Sequence, residues 1–334
     1  MIEDQAPRTA VIGAGYWGKN LLRNLAALGA LAGFHDADAE TRARFAAQYP
    51  EAAMHDDLAA LLADPAIEAV AIATPAATHG AIARRALEAG KHVFVEKPLC
   101  LDLAEARALG ALADARGVVL MVGHLLLYHP AFTALRAQVE AGAIGRLRYV
   151  YSTRASLGKI RREENALWSF APHDISMMLA LTGRAPTRVT CNGEAWLSPD
   201  VADLTLSHFD FGDGLQGHIF VSWLHPYKDH RLVVVGEAGM LVFNDTLPGA
   251  DKLLRYPHSI GWDGDLPVLD KAEARPVPFG EQEPLAEEMR HFLTCCRTGA
   301  RPRSDAREGA AVLAVLDMCQ RALAAGAPVE ADAA

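Results

Sequence analysis

Residues Thr9-Ala10-Val11-Ile12-Gly13-Ala14-Gly15-Tyr16-Trp17-Gly18 form a short apolar run that leads straight into a glycine-rich turn. Apolar residues at helical spacing follow over 21–28, so the turn joins a buried strand to the start of a helix. The first glycine of such a turn permits the tight bend, the second lets the backbone approach a pyrophosphate, and the third allows close helix–strand packing. The helix N-terminus also offers free N–H groups to phosphate. The stretch therefore predicts a dinucleotide site.

Short apolar runs and helical patterns alternate from this turn to about residue 123. Such alternation predicts a doubly wound Rossmann arrangement of α/β type, a parallel sheet with helices on both faces. From Leu147 onward the runs have period two and are separated by turns at 212–214 and 236–239, which predicts an open antiparallel β-sheet domain of α+β type with flanking helices. Within it we expect a helix over 172–181, and two more helices near 284–297 and 305–325. The predicted domains are a dinucleotide-binding domain over 1–124 and a substrate and oligomerisation domain over 125–334.

The composition excludes several classes of protein. The 334 residues include 41 Asp and Glu against 32 Lys and Arg, and with no basic stripe along the chain nucleic acid is not an expected partner. No apolar stretch reaches the roughly 20 residues that a bilayer span needs, and the polar start MIEDQAPR lacks the features of a signal peptide. The five cysteines show no zinc-ligand spacing, so we predict no metal site. Together these features indicate a cytoplasmic protein.

Asp36 ends the second predicted strand, at the position where a dinucleotide-binding domain places its ribose-binding carboxylate. Such a carboxylate accepts hydrogen bonds from both adenosine ribose hydroxyls and repels a 2′-phosphate, which favours NAD over NADP. An alternative is that Asp36 only caps the helix that begins in the sequence DADAE. Arg42 and Arg44 lie downstream and could reach a 2′-phosphate, so NADP stays an open alternative.

Two further strand ends carry residues suited to a cofactor site. Thr74-Pro75, followed by His79, ends a central strand, where doubly wound sheets bind their ligands, and we expect these residues near the nicotinamide ribose. Glu96-Lys97-Pro98 ends the next strand. The predicted cofactor-binding residues are Gly13, Gly15, Tyr16, Trp17, Gly18, Asp36, Thr74, Pro75, His79, Glu96 and Lys97.

The chain resembles the Gfo/Idh/MocA family of sugar and cyclitol oxidoreductases. The resemblance is carried by the glycine turn, Ala73-Thr74-Pro75 with His79, Glu96-Lys97-Pro98, Tyr128-His129-Pro130 and His173. It implies a Rossmann domain followed by an open antiparallel sheet, and hydride transfer between NAD(P) and a ring carbon of the substrate. It also implies that Lys97 binds substrate and takes part in proton transfer, with His173 as a second proton-handling residue.

Elementary chemistry agrees with a catalytic role for Lys97. Oxidation of a secondary alcohol removes the hydroxyl proton as hydride leaves the carbon. A lysine beside a positive nicotinamide and away from water has its ammonium form disfavoured, which lowers its pKa toward about 7–8 and lets it act as base or acid. The neutral ring of His173 can accept the same proton near pH 7, although it could also be a helix-start residue satisfied by a backbone group. Ser169 stands where the family often has an aspartate, so the relay is expected to rest on Lys97 and His173 alone.

Residues 156–168 connect a predicted strand to the His173 helix and are rich in cations. One interpretation is a solvated loop; the other is an anion clamp, because arginine binds phosphate or carboxylate with two parallel hydrogen bonds. The segments 165–176 and 221–232 resemble the family branch that acts on UDP-N-acetylglucosaminuronic acid, which oxidises the C3 hydroxyl on the way to surface polysaccharide. The predicted substrate-binding residues are Lys97, Tyr128, Arg154, Lys159, Arg161, Arg162, Asn165, Trp168, His173 and His225.

Other functions stay open at this point. The chain could act on a different sugar or cyclitol, such as a dTDP-3-ketosugar, inositol or a free aldose, or it could be a non-catalytic NAD-sensing protein on the same fold. A sheet with an apolar outer face must bury that face, so a homodimer or homotetramer formed through the antiparallel sheet is expected. The resemblance implies the same association.

Overall fold

The computed structural model describes residues 6–158 and 160–331. The chain divides into two compact units. Unit 1 comprises the described residues up to Tyr128 together with Gln282–Leu313, and unit 2 comprises His129–Glu281 together with the described residues from Ala314 onward. None of the helices in the described ranges is long and apolar enough to cross a bilayer.

The secondary structure alternates between strands and helices through unit 1 and becomes strand-rich in unit 2. The strands are β1 (Thr9–Ile12), β2 (Leu31–His35), β3 (Ala53–Met54), β4 (Ala69–Ile72), β5 (His92–Glu96), β6 (Leu120–Gly123), β7 (Leu147–Ala155), β8 (Arg188–Glu194), β9 (Leu204–Asp210), β10 (Gln216–Ser222), β11 (Asp229–Gly236), β12 (Gly239–Asn244), β13 (Leu253–Tyr256), β14 (Ser259–Asp263), β15 (Leu266–Asp270), β16 (Arg275–Pro276) and β17 (Val329–Glu330). The α-helices are α1 (Gly18–Ala27), α2 (Ala39–Gln48), α3 (Leu58–Ala63), α4 (Ala76–Glu88), α5 (Leu103–Arg116), α6 (Pro130–Glu140), α7 (Ala166–Thr182), α8 (Pro284–Thr298) and α9 (Ala306–Ala325).

Unit 1 is built on a six-stranded sheet in the order β3-β2-β1-β4-β5-β6, in which all neighbours run parallel. Every residue of the central strands β1 and β4 is buried. Central strands of a parallel sheet have helices on both faces, which explains why their sequences are apolar throughout rather than alternating. The predicted doubly wound parallel sheet is therefore confirmed.

Local capping signals fix where the helices of unit 1 begin. Asp38, Asp57 and Asp102 each accept a hydrogen bond from a backbone N–H in the first turn of α2, α3 and α5. An aspartate at this position satisfies an N–H group that has no partner within the helix. At the other end of α5, Gly117 adopts a left-handed conformation with φ of 65°, which glycine reaches without strain.

Unit 2 is built on a nine-stranded sheet in the order β16-β13-β12-β11-β7-β10-β9-β8-β17. Its pairs are antiparallel where β8, β9, β11 and β12 meet their neighbours, but β10 runs parallel to β7. The expected open antiparallel sheet is thus a mixed one at this pair. A parallel pair needs a long crossover, and here the chain passes through α7 and the β8–β9 hairpin before β10 returns beside β7.

Helix α7 is longer than predicted. We expected it to begin at Pro172, but it begins at Ala166, and Asn165 is the capping residue, with its side chain accepting from the Trp168 N–H at 3.2 Å. Proline favours the first turn of a helix, which is why it suggested a start. Pro172 instead lies inside α7, where it removes one backbone hydrogen-bond donor.

The two faces of the nine-stranded sheet differ. Helix α7 packs against β7 and β10, and a Cβ atom at Gly217 of β10 would lie 3.0 Å from Met178 of that helix. Ile219 and Val221 are buried on the same face of the strand, whereas His218 and Phe220 alternate with them and stay partly exposed. The face away from α7 therefore presents aromatic side chains.

Strands β14 and β15 form a separate two-stranded hairpin whose residues are all exposed. Trp262 is 70% exposed and Ile260 is 61% exposed. The sequence analysis did not predict this hairpin. The signal was present, because the two turn residues, Gly264 and Asp265, form a dipeptide typical of a tight hairpin turn between apolar runs.

Candidate functional site

The glycine loop of unit 1 has the geometry that a pyrophosphate requires. Gly13 has a φ of +89°, and a Cβ there would lie 2.9 Å from the Ala73 carbonyl group. A Cβ at Gly18 would lie only 1.8 Å from the Gly13 carbonyl oxygen, so helix α1 can approach the loop only without a side chain. Open space surrounds the Cβ position of Gly15. The loop therefore leaves its backbone accessible at the point where a dinucleotide phosphate would approach.

Asp36 follows β2 and turns toward the glycine loop. Its Oδ2 accepts a hydrogen bond from the Ala14 N–H at 2.7 Å, and its Oδ1 accepts from the Asp38 N–H at 2.9 Å. Each carboxylate oxygen can accept more than one hydrogen bond, so Asp36 keeps capacity for ribose hydroxyls. The residue that caps α2 is Asp38, which accepts from the Thr41 N–H at 2.9 Å. Asp36 is therefore free of the capping role that was its alternative.

The two arginines near Asp36 already have partners within unit 1. Arg42 donates from Nη1 to the Asp36 carbonyl oxygen at 2.7 Å and from Nε to the Asp56 carboxylate at 3.2 Å. The Arg44 guanidinium lies 4.7 Å from the centre of the Phe45 ring. A 2′-phosphate would have to compete with these contacts, which favours the unphosphorylated cofactor.

His79 ties together the loops that follow β4 and β5. It is buried, and its ring nitrogens lie 2.8 Å from the Pro98 carbonyl oxygen and 2.8 Å from the Thr74 carbonyl oxygen. Burial lowers the pKa of His79, and the nearby Lys97 charge lowers it further. Thr78 adds a hydroxyl contact of 2.8 Å to the Thr74 hydroxyl. His79 therefore links the loops that follow β4 and β5, and its predicted contact with the cofactor stays a prediction.

Glu96, Lys97 and Pro98 stand where β5 ends. The Lys97–Pro98 peptide bond is cis, and Lys97 is half-buried. The Glu96 carboxylate accepts a hydrogen bond from the indole N–H of Trp17, which links this strand end to the glycine loop. Burial raises the pKa of Glu96 to about 7, against the opposing effects of Trp17 and Lys97. The predicted cofactor residues of the first domain thus meet at the carboxyl edge of one sheet.

Tyr128 is buried at the end of unit 1. Its hydroxyl lies 2.8 Å from the Ser304 hydroxyl, and the Arg303 guanidinium lies 4.9 Å from the centre of its ring. Burial raises the pKa of Tyr128 well above its ordinary value. The hydroxyl is therefore neutral and engaged within the unit, and its predicted contact with substrate stays a prediction.

A cavity of about 690 Å³ opens at the opposite edge of the six-stranded sheet, lined by the starts of β5 and β6, by α5 and by residues 299–302. Doubly wound sheets bind ligands beyond the carboxyl ends of their strands. This cavity lies beyond the amino ends of β5 and β6 and so is separate from the cofactor site.

Arg154 in unit 2 forms a buried ion pair that the sequence did not reveal. Its Nε donates to Asp174 Oδ2 at 2.5 Å, its Nη2 donates to Oδ1 at 3.2 Å, and the Ser152 hydroxyl donates to Oδ1 at 2.6 Å. Asp174 is 1% exposed and Arg154 is 7% exposed. The pair joins β7 to α7 one residue from His173, which fixes that turn of the helix. The predicted contact of Arg154 with substrate stays a prediction.

His230 on β11 completes this group. Its Nδ1 accepts a hydrogen bond from Arg154 Nη1 at 3.1 Å. Burial and the positive charges of Arg154 and Lys228 lower the pKa of His230 to about 3. The ring is therefore neutral, with its proton on Nε2, a buried atom without a hydrogen-bond partner among the described residues.

Two of the predicted substrate residues are held by α9. Asn165 Nδ2 and the Trp168 indole N–H both donate to the Gln320 side-chain oxygen, at 2.9 Å and 3.1 Å. Gln320 lies more than 150 positions away along the chain, so no local pattern could have pointed to it. The structure thus shows why α7 begins where it does; the predicted contacts of Asn165 and Trp168 with substrate stay predictions.

The cationic segment before α7 is partly accessible. Arg161 pairs with Glu164 at 3.0 Å, and Arg162 is exposed. Lys159, the third predicted cation, lies outside the described residues. At least one arginine of the segment is therefore open to an anionic ligand.

The predicted histidines of unit 2 lie on different elements. His173 is half-buried on α7, four residues after the buried Ser169. His225 follows β10, and its ring lies 5.6 Å from the rings of Phe220 and Tyr227. Within residues 6–158 and 160–331, no group of three or more His, Cys, Asp or Glu side chains is placed to hold a metal ion.

Both halves of the chain match known protein families. Residues 7–124 match the model of the oxidoreductase family with an NAD-binding Rossmann fold, and residues 132–242 match the GFO/IDH/MocA C-terminal domain. The UDP-N-acetylglucosamine 3-dehydrogenase of Acidithiobacillus ferrooxidans is 33% identical over 289 residues, which are 86% of this chain and 87% of that protein. The solved structure of that enzyme, GnnA, has a TM-score of 0.84 and covers 95% of this chain and 97% of its own, at 30% identity.

Two further proteins of known name are similar to this chain. The scyllo-inositol 2-dehydrogenase (NAD(+)) of Bacillus subtilis strain 168 is 29% identical over 253 residues, 72% of this chain and 71% of that protein. The structure of GenD2 from gentamicin A biosynthesis in complex with NAD has a TM-score of 0.83 at 25% identity, covering 98% of this chain and 97% of that one. The resemblance found in the sequence is confirmed: the chain belongs to the GFO/IDH/MocA family of oxidoreductases, and its first domain is the family's NAD-binding Rossmann domain.

Proposed function

We propose that the protein oxidises the C3 hydroxyl of a UDP-linked N-acetylhexosaminuronate, with NAD as the hydride acceptor. The observation that carries this proposal is the end-to-end likeness to a UDP-N-acetylglucosamine 3-dehydrogenase, in sequence and in structure. The glycine loop and Asp36 support NAD as the cofactor. Bound NAD would supply the nicotinamide ring, which would accept the hydride from the sugar carbon.

Lys97 is the residue proposed to handle the hydroxyl proton. It is half-buried at the carboxyl end of β5, the edge at which a doubly wound sheet binds its cofactor. Partial removal from water and a nearby positive ring both disfavour the ammonium form, which prepares the amine to take up the proton as hydride leaves. His79 contacts the Pro98 carbonyl oxygen at 2.8 Å and so supports the loop from which the amine would meet the substrate.

His173 is proposed as a second group that takes up a proton during the reaction. The adjacent Asp174 accepts hydrogen bonds from Arg154 and Ser152. Ser169 stands one helical turn before His173 and carries no charge. A neutral imidazole can accept a proton near pH 7, which is the role proposed for His173.

The preference for NAD over NADP is also proposed from the structure. The Asp36 carboxylate is fixed by two backbone N–H groups and would repel a 2′-phosphate. Arg42, the nearest cation downstream, is held by the Asp36 carbonyl oxygen and by Asp56. The Asp36 carboxylate and the engaged Arg42 side chain both favour NAD over NADP.

The uronate is favoured by the cationic segment before α7. Exposed Arg162 can bind a carboxylate or a phosphate through two parallel hydrogen bonds. A second candidate substrate is UDP-N-acetylglucosamine itself, since the relative from Acidithiobacillus ferrooxidans is named for that sugar. The aromatic face of the nine-stranded sheet, with Phe220 and His218 partly exposed, supports a proposed homodimer or homotetramer that buries this face.

A substrate panel tests the proposal directly. The purified protein is mixed with NAD and, in parallel, with UDP-N-acetylglucosaminuronic acid, UDP-N-acetylglucosamine, a dTDP-hexose and scyllo-inositol, and NADH formation is followed by absorbance. We expect the uronate to have the highest kcat/KM, and mass spectrometry after borodeuteride reduction to place the new deuterium at C3. Turnover of inositol alone, or a ketone at another carbon, would contradict the proposal.

A further inference from the structure

Glu288 on α8 is a carboxyl group in an apolar setting. It is fully buried, and neither of its oxygens has a hydrogen-bond partner among the described residues. Leu285, Met289 and Phe292 on the same helix are also buried. An ionised carboxylate without partners in such a place costs far more than a neutral one, so Glu288 keeps its proton. Burial and the nearby charges of Glu96 and Glu308 raise its pKa well above the ordinary value.

Glu96 differs from Glu288 in its access to solvent and in its partners. It is partly exposed, and its carboxylate accepts a hydrogen bond from the Trp17 indole. A Cβ at Gly123, on the neighbouring strand, would lie 3.0 Å from Glu96 Oε2, so this glycine makes room for the carboxyl group. Glu96 therefore has a polar partner and some exposed surface, whereas Glu288 is fully buried and its carboxyl oxygens have no hydrogen-bond partner among the described residues.

The charged groups around Glu96 come from four elements of unit 1. Lys97 directly follows it after the end of β5, and His124 follows β6 and contacts Glu308 of α9 through its Nδ1 at 2.5 Å. Glu288 faces the same group from α8. Lys97 and His124 favour the ionised form of Glu96, while burial favours the neutral form and raises its pKa to about 7. Because these effects oppose one another, one further charge nearby can change the protonation of Glu96.

We propose that Glu96, backed by a permanently protonated Glu288, takes up a proton when the bound cofactor changes from NAD to NADH. Glu96 is one hydrogen bond from the glycine loop and adjoins Lys97, so it lies next to the cofactor site on two sides. Hydride transfer removes the positive charge of the nicotinamide, and a neighbouring carboxylate then loses a favourable interaction. By taking up a proton, Glu96 would compensate for the positive charge that the nicotinamide loses.

The protons released and taken up in this step balance. The alcohol loses a hydride, with both electrons, to NAD and loses its hydroxyl proton to Lys97, which returns it to solvent. In those molecules in which Glu96 was ionised, it takes up a proton from solvent in the same turnover and releases it when NADH leaves. Because the glutamate pair responds to the cofactor alone, the inference rests on NAD binding and not on the identity of the sugar.

Calorimetric binding of NAD and of NADH, without any sugar, tests the inference. Titrations of the full chain at pH 7 in two buffers with different ionisation heats give the protons bound with each cofactor. We expect NADH to bring about 0.3–0.7 more protons than NAD, because a group with a pKa near 7 is then close to half-protonated. Equal proton numbers for the two cofactors would overturn the inference.

Two isosteric variants locate the proton. E96Q removes the carboxyl group proposed to exchange the proton, so the difference in bound protons between NADH and NAD should fall to zero. E288Q mimics the protonated acid and should keep the difference. A difference that survives in E96Q, or one that disappears in E288Q alone, would show that Glu96 is not the group.

The pH dependence of wild-type binding is a second measurement that needs no variant. Uptake of a proton with NADH means that acid favours NADH over NAD. The ratio of the NAD Kd to the NADH Kd should therefore rise by about threefold to tenfold from pH 8 to pH 6. A ratio that stays constant across this range would contradict the inference.

Discussion

The two units hold their predicted site residues by different means. In unit 1 the backbone does most of the positioning: Gly13 and Gly18 shape a turn, and the Thr74 and Pro98 carbonyl oxygens hold His79. In unit 2 side chains do it, through the ion pair of Arg154 with Asp174. Backbone turns are built by neighbours in sequence, while side-chain networks join residues from distant segments. The comparison teaches that short motifs can predict the backbone turns of unit 1, whereas the side-chain network of unit 2 cannot be predicted from them.

The largest expected effect tests whether unit 1 also supplies the main proton-handling group. In Lys97→Met the amine is lost and the shape of the side chain is kept, so kcat should fall by about 10²–10⁴-fold, the usual contribution of a positioned acid or base. Stopped-flow NADH formation with the preferred substrate measures this. NAD binding should be retained, and the exposed Lys271→Met serves as the matched control with unchanged kcat. Near-normal turnover in Lys97→Met would remove Lys97 from the mechanism.

The second prediction breaks the side-chain network of unit 2. Asp174→Ala leaves the Arg154 charge buried without its partner, and the free energy of unfolding should fall by about 3–5 kcal/mol. Asp317→Ala removes an exposed carboxylate on α9 that pairs with Arg321 at 2.9 Å, and it should cost about 1 kcal/mol or less. Urea denaturation compares the two. Similar losses in both variants would mean that the buried pair does not support the unit.

The third prediction separates two glycines of the same loop. In Gly18→Ala the new Cβ collides with the Gly13 carbonyl oxygen, so stability should drop by about 1–3 kcal/mol and NAD affinity should drop with it. In Gly15→Ala the new Cβ has open space in the protein but stands where the pyrophosphate approaches. Thermal unfolding should then be unchanged while the NAD Kd rises about tenfold, or 1.4 kcal/mol. If both variants lose stability equally, the backbone of this loop is not shaped as described.

The smallest expected effect concerns His230 and pH. Its pKa is about 3 in the folded protein, below the ordinary value of 6.5, so between these two values the unfolded chain binds a proton that the folded chain does not. The free energy of unfolding should therefore fall as pH falls through this window, by up to about 1.4 kcal/mol per pH unit from this residue. His230→Asn keeps an acceptor for Arg154 and should flatten the slope measured from pH 6.5 to pH 4. A slope equal to that of the wild type would show that another group causes the acid sensitivity.

Several errors of the sequence analysis share one cause. Pro172 suggested a helix start because proline fits the first turn, yet α7 begins six residues earlier, where Asn165 is anchored by Gln320 of α9. The second sheet was expected to be antiparallel throughout, yet β7 and β10 run parallel. Neither feature has a local signature, because each depends on segments that meet only after folding.

Buried charged groups were the hardest features to predict. Arg154 has the sequence environment of a strand residue open to substrate, and only the packing of α7 on β7 brings Asp174 against it. Glu288 gave a weaker but usable signal, since it lies among Leu285, Met289 and Phe292 on the apolar face of α8. A carboxyl group on such a face must lose its charge or find a partner.

The amino-acid order was enough to establish the strand–turn–helix unit around Gly13 and Gly18, the carboxylate at Asp36 and the Glu96-Lys97-Pro98 strand end, and with them the NAD-binding domain and the family. These features depend on backbone conformations and on hydrophobic periodicity, which act between near neighbours. Folding in three dimensions decided which charged groups pair inside the protein and which stay available to ligands. Arg154 pairs with Asp174, and Glu96 lies near the buried Glu288. The physical reason is that burial and charge pairing depend on distances across the core, where residues far apart in the chain become neighbours and water is excluded.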